Sequence, residues 1–494
     1  MMSEKRRMHP AVIAVSVFKR MKGIVLPFLF LIFIGVKDGD TLGLLLTGAG
    51  LVVVFAATTG FGVAEWYRFY YWVEGGELRI ENGVFVRQRR FIPQERIQTI
   101  DTSEGIIQRI FGLVKVQVET AGGGTEAEAV LSAVTKDEAE LLRGVLLKKG
   151  PTISELDGQV EVMDGDLGAL RVEETEISKP TYTIAWKALF LVGTTSGGIG
   201  VVLSAVVAFV SQIDQFIPYE DVVDRFDLVL QTSVYFIASV VFFVLLLSWL
   251  ISIAMTMIKY GNFNVIKQGD ELLISRGIIE KRQLTIPLGR IQAIRISQNL
   301  LRQPFGLATV YVESAGGAGG KESDFSTILF PLVDVKEVGG LLREFTPEYN
   351  MQNHIQPLPR RSLPRYLIRL IIPALLVSSV VAYFFQPYGL FAFILVGLAG
   401  ALGYAQYRAG GWNIRGSQLQ LSYRLLNKNI VLVHKKRVQA FEWKESEFQK
   451  RRHLQTIYAS IKSSVSSKSF RVVDVEREDS VKIFDWYTYE KKQG

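Results

Sequence analysis

Glu77–Gly123 reads ELRIENGVFVRQRRFIPQERIQTIDTSEGIIQRIFGLVKVQVETAGG, and Glu271–Gly317 reads ELLISRGIIEKRQLTIPLGRIQAIRISQNLLRQPFGLATVYVESAGG. The two stretches align without a gap at a shift of 194 residues, and Gln418–Lys462 aligns more faintly to the second at a shift of 147. A pair of long apolar segments precedes each copy. A period of this kind has to be read before anything else, because it decides the fold: one supersecondary unit, repeated. The unit here is an apolar hairpin followed by a β-rich domain.

Within the second copy, Asn264–Ile266, Glu271–Ser275, Gly277–Pro287, Leu288–Ser297, Leu307–Glu313 and Thr327–Pro331 alternate apolar and polar residues between Gly and Asp turns, the pattern of short antiparallel strands. Asn299–Phe305 reads as a short crossing that Gly306 ends. Val338, Leu341, Leu342 and Phe345 share one face of a closing helix over Val335–Phe345, matched in the first copy by Lys136–Leu147. About seven strands and one C-terminal helix predict a small, partly open barrel plugged by a helix.

Six apolar segments, 23–36, 41–64, 188–210, 232–258, 366–385 and 388–407, are expected to span a membrane as three hairpins, since about 20 apolar residues cross the hydrocarbon core. Hydrophobic residues make up 49% of the 494 and charged residues 21%, and the two are segregated along the chain. Basic residues cluster before the first and third spans (Lys5, Arg6, Arg7, Lys19, Arg20, Lys22; Lys179, Lys187), around the start of the fifth (Arg360, Arg361, Arg365, Arg369) and after the even ones (Arg68, Lys259, Arg408). The positive-inside rule then expects both termini and all three β-rich units on the cytoplasmic side of the cell membrane. The loop 211–231 is acidic and falls outside.

The domain organisation follows: an N-terminal interfacial segment with the first hairpin (1–64), unit one (65–150), an acidic linker or set of added strands (151–179), hairpin two (180–259), unit two (260–350), hairpin three (351–408) and a divergent unit three (409–494). Small residues in spans three and six, among them Gly197, Gly200, Gly397, Gly400 and Gly403, are expected to let helices pack closely.

Chemistry leaves a thin trace. The chain has no Cys, and its four His lie far apart, so no thiol nucleophile and no metal spacing can be assembled, and no cofactor is expected. A formal charge of +8 suits basic flanks on membrane spans better than nucleic acid, for which a reading helix or an aromatic stacking platform is missing. Three positions keep their type in every copy: Arg96, Arg290 and Arg437; Gln98, Gln292 and Gln439; and the basic Arg87, Lys281 and Lys428. Two residues apart on a strand, the Arg and Gln side chains would share a face. They would either fix strand pairing and dock the unit on its hairpin, or bind an anion or headgroup. Glycine-rich stretches at 121–124 and 315–320 lack the Gly-Lys-[Ser/Thr] ending of a phosphate loop and read as hairpin loops.

The strand order resembles a pleckstrin-homology (PH)-like fold. The IP-x-x-RIQ-x-I strand (Ile92–Ile100 and Ile286–Ile294), the FGL turn (Phe111–Leu113 and Phe305–Leu307) and the V-E-[T/S]-A-G-G end are similar to those of the YdbS/YdbT family of bacterial PH-like membrane proteins. The third copy departs, with His434 for the Pro, Arg452-His453 for Phe-Gly and Ser460 for the Glu. The resemblance implies a non-enzymatic membrane protein that helps to resist membrane-active antimicrobial peptides (bacteriocins), paired with a single-repeat relative. Membrane lipids and a peptide are the ligands it suggests. A transport component for a lipid or peptide, and a membrane scaffold or stress-sensing module, are the alternative readings.

Overall fold

The computed structural model describes residues 4–37, 41–120, 128–147, 180–195, 200, 203–204, 234–314, 326–462 and 468–488. The linker 151–179, the acidic loop 211–231, both glycine-rich stretches, Gly197 and most of the expected third span lie outside them.

Each unit consists of two three-stranded antiparallel half-sheets. In unit one these are β1 (Tyr70–Glu74), β2 (Glu77–Asn82) and β3 (Gln88–Pro93), then β4 (Ile97–Glu104), β5 (Leu113–Thr120) and β6 (Ala129–Thr135), closed by the helix Lys136–Leu147. A short strand, β7 (Thr181–Thr183), precedes unit two. Its half-sheets are β8 (Asn264–Gln268), β9 (Glu271–Arg276) and β10 (Lys281–Pro287), then β11 (Ile291–Gln298), β12 (Leu307–Ser314) and β13 (Ser326–Asp334), with the helix Val335–Phe345. Unit three repeats this with β14 (Gln356–Pro357) ahead of β15 (Gly411–Arg415), β16 (Gln418–Arg424) and β17 (Lys428–His434), then β18 (Val438–Lys444), β19 (Leu454–Ile461), β20 (Lys468–Glu476) and the helix Arg477–Tyr487.

The local causes repeat as well. Gly75, Gly269 and Gly416 occupy one position of the repeat and all take positive φ, which a tight hairpin turn needs. Gly112 and Gly306 end the crossing at φ +66° and +68°, and His453 holds the same place at φ +53°. The divergent third copy thus keeps the backbone while losing the glycine. The closing helix of unit two starts on Asp334, whose carboxylate accepts from the Lys336 N–H at 2.9 Å. It buries Val338, Leu342 and Phe345 against Phe330, Ile294 and Val310.

The partly open barrel expected of each unit is open toward its neighbour. The second half-sheet of one unit pairs edge to edge with the first half-sheet of the next. The result is two seven-stranded sheets, β6-β5-β4-β10-β9-β8-β7 and β13-β12-β11-β17-β16-β15-β14. Among the described residues the outer halves, β1-β2-β3 and β18-β19-β20, remain as three-stranded sheets. A strand edge exposes unpaired N–H and C=O groups, and pairing it with the neighbouring unit satisfies them. The core of unit two accordingly includes Ile430 and Leu432 from β17. Residues from ahead of each unit's helices join its first half-sheet at equivalent positions of the repeat: Arg6 makes a single bridge to Tyr71, β7 pairs β8 and β14 pairs β15.

Among the described residues four helices are long and apolar enough to cross a membrane: Thr41–Tyr67, Val241–Tyr260, Arg360–Phe384 and Tyr388–Ala409. The first helix, Val12–Lys37, begins well before its expected apolar segment. Ala11 and Val12 belong to the core of unit one, so the start of this helix is a docking surface for the β-sheet. Arg20 pairs with Glu65 at 2.8 Å instead of reaching outward alone. Small residues act unequally. A Cβ on Gly403 would meet the Tyr366 carbonyl oxygen at 2.9 Å, and one on Gly193 the Ile253 Cα at 3.2 Å. Gly400 lies at ordinary contact from Ile371, whereas no described atom lies within 4 Å of a Cβ on Gly200 or Gly397.

Candidate functional site

The aligned arginines sit in the turn ahead of the strand. Arg96, Arg290 and Arg437 each end a three-residue 3-10 turn, and the strand begins one residue later. The glutamines fall where the strand register shifts, between Ile97 and Thr99, Ile291 and Ala293, and Val438 and Ala440. A bulge there interrupts the two-residue alternation on which the expected shared face of Arg and Gln rests. Gln292 is buried and donates to the Arg290 carbonyl at 3.0 Å, whereas Gln439 is exposed.

What the arginines do is reach across the joins. Arg290 donates to the Glu95 carbonyl of unit one at 2.9 Å, and Arg437 donates to the Gly289 carbonyl of unit two. Glu95 and Gly289 are equivalent in the repeat, so one bond is made twice, each time from a unit to the one before it. Arg96 lies in the first of the three copies. Its side chain is 56% exposed, with Glu128 at 4.0 Å. The third aligned set diverges in surroundings: Arg87 pairs with Glu81 at 2.8 Å, Lys281 is exposed, and partial burial beside Arg424 lowers the pKa of Lys428.

Sequence reasoning missed the buried charges at these joins. Glu313, 1% exposed, accepts from Arg295 at 2.8 Å and from Lys468 of unit three at 2.8 Å, with Ser326 Oγ also in reach. In unit one the same two positions carry Glu119 and Asp101. Burial pushes Glu119 up to about 8, against the hydrogen bond from Thr99. Burial pushes Asp101 up to about 7, although Arg282, Arg276 and Lys115 favour its charged form. The aligned Glu119 and Glu313 were visible in the sequence. Lys468 was not, because it lies beyond the repeated stretch.

Another missed position ties units to helices. Arg302 in the crossing of unit two donates to Thr195 Oγ1 at 2.7 Å and to the Val192 carbonyl at 3.1 Å, both on the helix Trp186–Thr195. Its counterpart in unit three is Gln449, which donates to Asp474 at 2.8 Å. Asp474, fully buried, also receives Arg365 at 2.9 Å and Arg369 at 3.2 Å from the helix Leu363–Phe384. The basic flank of that helix is thereby an anchor for its own unit.

These features recur three times, and so does the family match. The bacterial PH domain family matches residues 23–150, 203–348 and 367–491. The chain belongs to the bacterial PH-domain family. It is 41% identical over its whole length, and over the whole of the relative, to the UPF0699 transmembrane protein YdbT of Bacillus subtilis (strain 168). No solved structure matches it.

In this bacterial PH-domain chain, exposed apolar side chains gather at two tips of each unit, both beside the helices. At the β2–β3 tip and its equivalents these are Phe85, Ile279 and Leu426. Phe85 lies 6.1 Å from Phe61 on the helix Thr41–Tyr67, and Gln406 of the helix Ile394–Ala409 donates to the Leu425 carbonyl at 2.8 Å. At the crossing the exposed residues are Ile110 and Phe111, Leu301 and Phe305, and Phe448, the last followed by Lys450, Arg451 and Arg452. An open cleft in unit three is lined by Glu348, Ser417, His434, Lys435 and Lys436. Among the described residues no group of three or more His, Asp or Glu is placed to hold a metal ion.

Proposed function

We propose that this chain is a non-enzymatic, multi-pass protein of the cell membrane. Three helical hairpins, six spans in all, carry three PH-like units on the cytoplasmic side. The array contributes to resistance against membrane-active antimicrobial peptides, together with a single-repeat relative. The observation that carries the membrane part is the pair of apolar tips on every unit, which flank the helices where a bilayer interface would lie. Phe85 is 88% exposed and Phe305 70%, a cost in water that contact with lipid removes. Lys450, Arg451 and Arg452 beside Phe448 suit an anionic leaflet, where each basic residue contributes about 1 kcal/mol. The transmembrane relative supports the same reading.

The defence role rests on the family resemblance and is tested in cells. Deletion of the gene, alone and with a single-repeat relative, should lower survival against a panel of membrane-active peptides, and the full chain should restore it. A Phe85→Ser/Phe305→Ser chain should restore it poorly at equal abundance. Unchanged survival across the panel after both deletions would overturn the role.

A further inference from the structure

We propose that the open edges of β3 and β18 dock on each other between two copies of this chain, joining copies head to tail by the interface that already joins its units. The inner joins set the geometry. Across the first, Lys281 stands opposite Glu104, Leu284 opposite Asp101 and Thr285 opposite Ile100. Across the second, Lys428 stands opposite Gln298, Val431 opposite Arg295 and Leu432 opposite Ile294. Shifted by 194 and 147 residues, these are the same register. Among the described residues β3 pairs only with β2, and β18 only with β19.

The same register carried to these two edges places Arg87 opposite Glu445, Gln88 opposite Lys444, Arg90 opposite Glu442 and Phe91 opposite Phe441. Two basic residues meet two acidic ones, and two aromatic rings meet each other, pairs that favour a strand interface. The arginines on β3 also oppose pairing of β3 with another β3, which selects the head-to-tail join over a symmetric one. Arg96 completes the set. Its counterparts Arg290 and Arg437 each donate to a carbonyl of the preceding unit, and the equivalent acceptor at the far end of the chain is the Lys436 carbonyl.

Exposure separates used from unused edges. Asp101 and Ser103 on β4, and Ile296, Ser297 and Gln298 on β11, are buried. At the equivalent places on β18, Glu442, Trp443 and Lys444 are exposed, as are Gln88, Arg89, Arg90 and Phe91 on β3. Arg90 donates to the Glu128 carbonyl at 2.6 Å, and Glu442 pairs with the neighbouring Lys444 at 3.3 Å. Exposed contacts of this sort exchange at little cost. A head-to-tail join closes into a ring when its rotation permits and otherwise extends as an array.

The Cys-free chain makes the test direct. Two differently tagged full-length chains, Gln88→Cys and Lys444→Cys, are co-expressed in native membranes and oxidised. A disulfide-linked dimer carrying both tags is expected, and neither variant should link to itself. Replacing Lys444→Cys by Gln439→Cys should abolish the link. Adding Arg90→Glu to the first chain should cut the linked fraction severalfold, and adding Glu442→Arg to the second should restore it. Restoration by the swapped pair shows that the Arg90→Glu chain is folded. Absence of the mixed dimer, equal linkage at Gln439, self-linkage of Gln88→Cys, or capture of a smaller single-unit protein in place of the second copy would each overturn the proposal.

Discussion

At the scale of single residues, the joins between units separate exposed ties from buried ones. Arg290 makes one exposed hydrogen bond to a carbonyl, so Arg290→Ala should cost about 1 kcal/mol. Glu313→Ala leaves Arg295 largely buried without its carboxylate partner and removes the ion pair to Lys468 from unit three, which should cost about 3–5 kcal/mol. Thermal unfolding of the purified full chain in mild detergent checks this order, and an Arg290→Ala loss equal to that of Glu313→Ala would refute it. Asp101 works in the opposite sense. Its carboxyl titrates near 4 in an unfolded chain, and burial pushes it up to about 7 in the folded one. The folded state therefore holds the proton more tightly. Asp101 contributes stability at acid pH that is lost as the pH rises through about 7. The charges that face it are Arg282, Arg276 and Glu280 of unit two, Lys115 on β5 and the neighbouring Glu119, and the three cations do not reverse the effect of burial. Asp101→Asn should then raise the unfolding temperature most at pH 8, by less at pH 5, where the unfolded carboxyl is already ionised, and hardly at all below about pH 4. A variant less stable than the parent at pH 8 would show that the ionised carboxylate is the favoured form.

At the scale of elements, the glycines of the last two helices make a graded test. Gly403 lies against the backbone of Tyr366 and Leu367, atoms that cannot swing aside, whereas nothing stands within 4 Å of a Cβ on Gly397. Gly403→Leu should force apart the helices Leu363–Phe384 and Ile394–Ala409 and cost about 1–3 kcal/mol, and Gly397→Leu should be tolerated. Equal unfolding temperatures for the two variants would refute the grading. From sequence these glycines looked alike, because spacing does not say which side of a helix meets a neighbour. The strands were far more legible: Glu271–Ser275 was expected and Glu271–Arg276 is found, and the helix Val335–Phe345 was placed on the same residues. Alternation and turn glycines are local signals, and they survive into the fold. Three things had no local signal. The strand β7 has three residues, too few for a period. The bulge at Gln292 shifts the register without any glycine or proline to announce it. The pairing of β4 with β10 links residues far apart in the chain, and their alternation gives no hint of which edge they will meet.

At the scale of the whole molecule, orientation is the property on which the functional reading depends, and charge argues for it from both sides of the bilayer. The basic residues near the helix starts have uses in the fold, since Arg365 and Arg369 bind Asp474 of unit three and Arg20 binds Glu65. They are therefore not free topological signals in the way that unpaired lysines are, and this makes a direct test worthwhile. If the positive-inside reading holds, the units and the turn between the last two helices lie on opposite sides. Single-Cys chains carrying Pro387→Cys, Gly39→Cys or Gln215→Cys should react with a membrane-impermeant thiol reagent on intact cells. The Gln88→Cys and Lys444→Cys chains, both at exposed positions, should stay unreacted until the cells are opened and should react fully afterwards. Reaction after opening rules out burial as the cause of protection, so the contrast reads sidedness alone. Labelling of Gln88→Cys or Lys444→Cys on intact cells would place the PH-like units outside. It would remove the basis for contact with an anionic inner leaflet, and it would leave the pairing of β3 with β18 to be judged on its own cross-links.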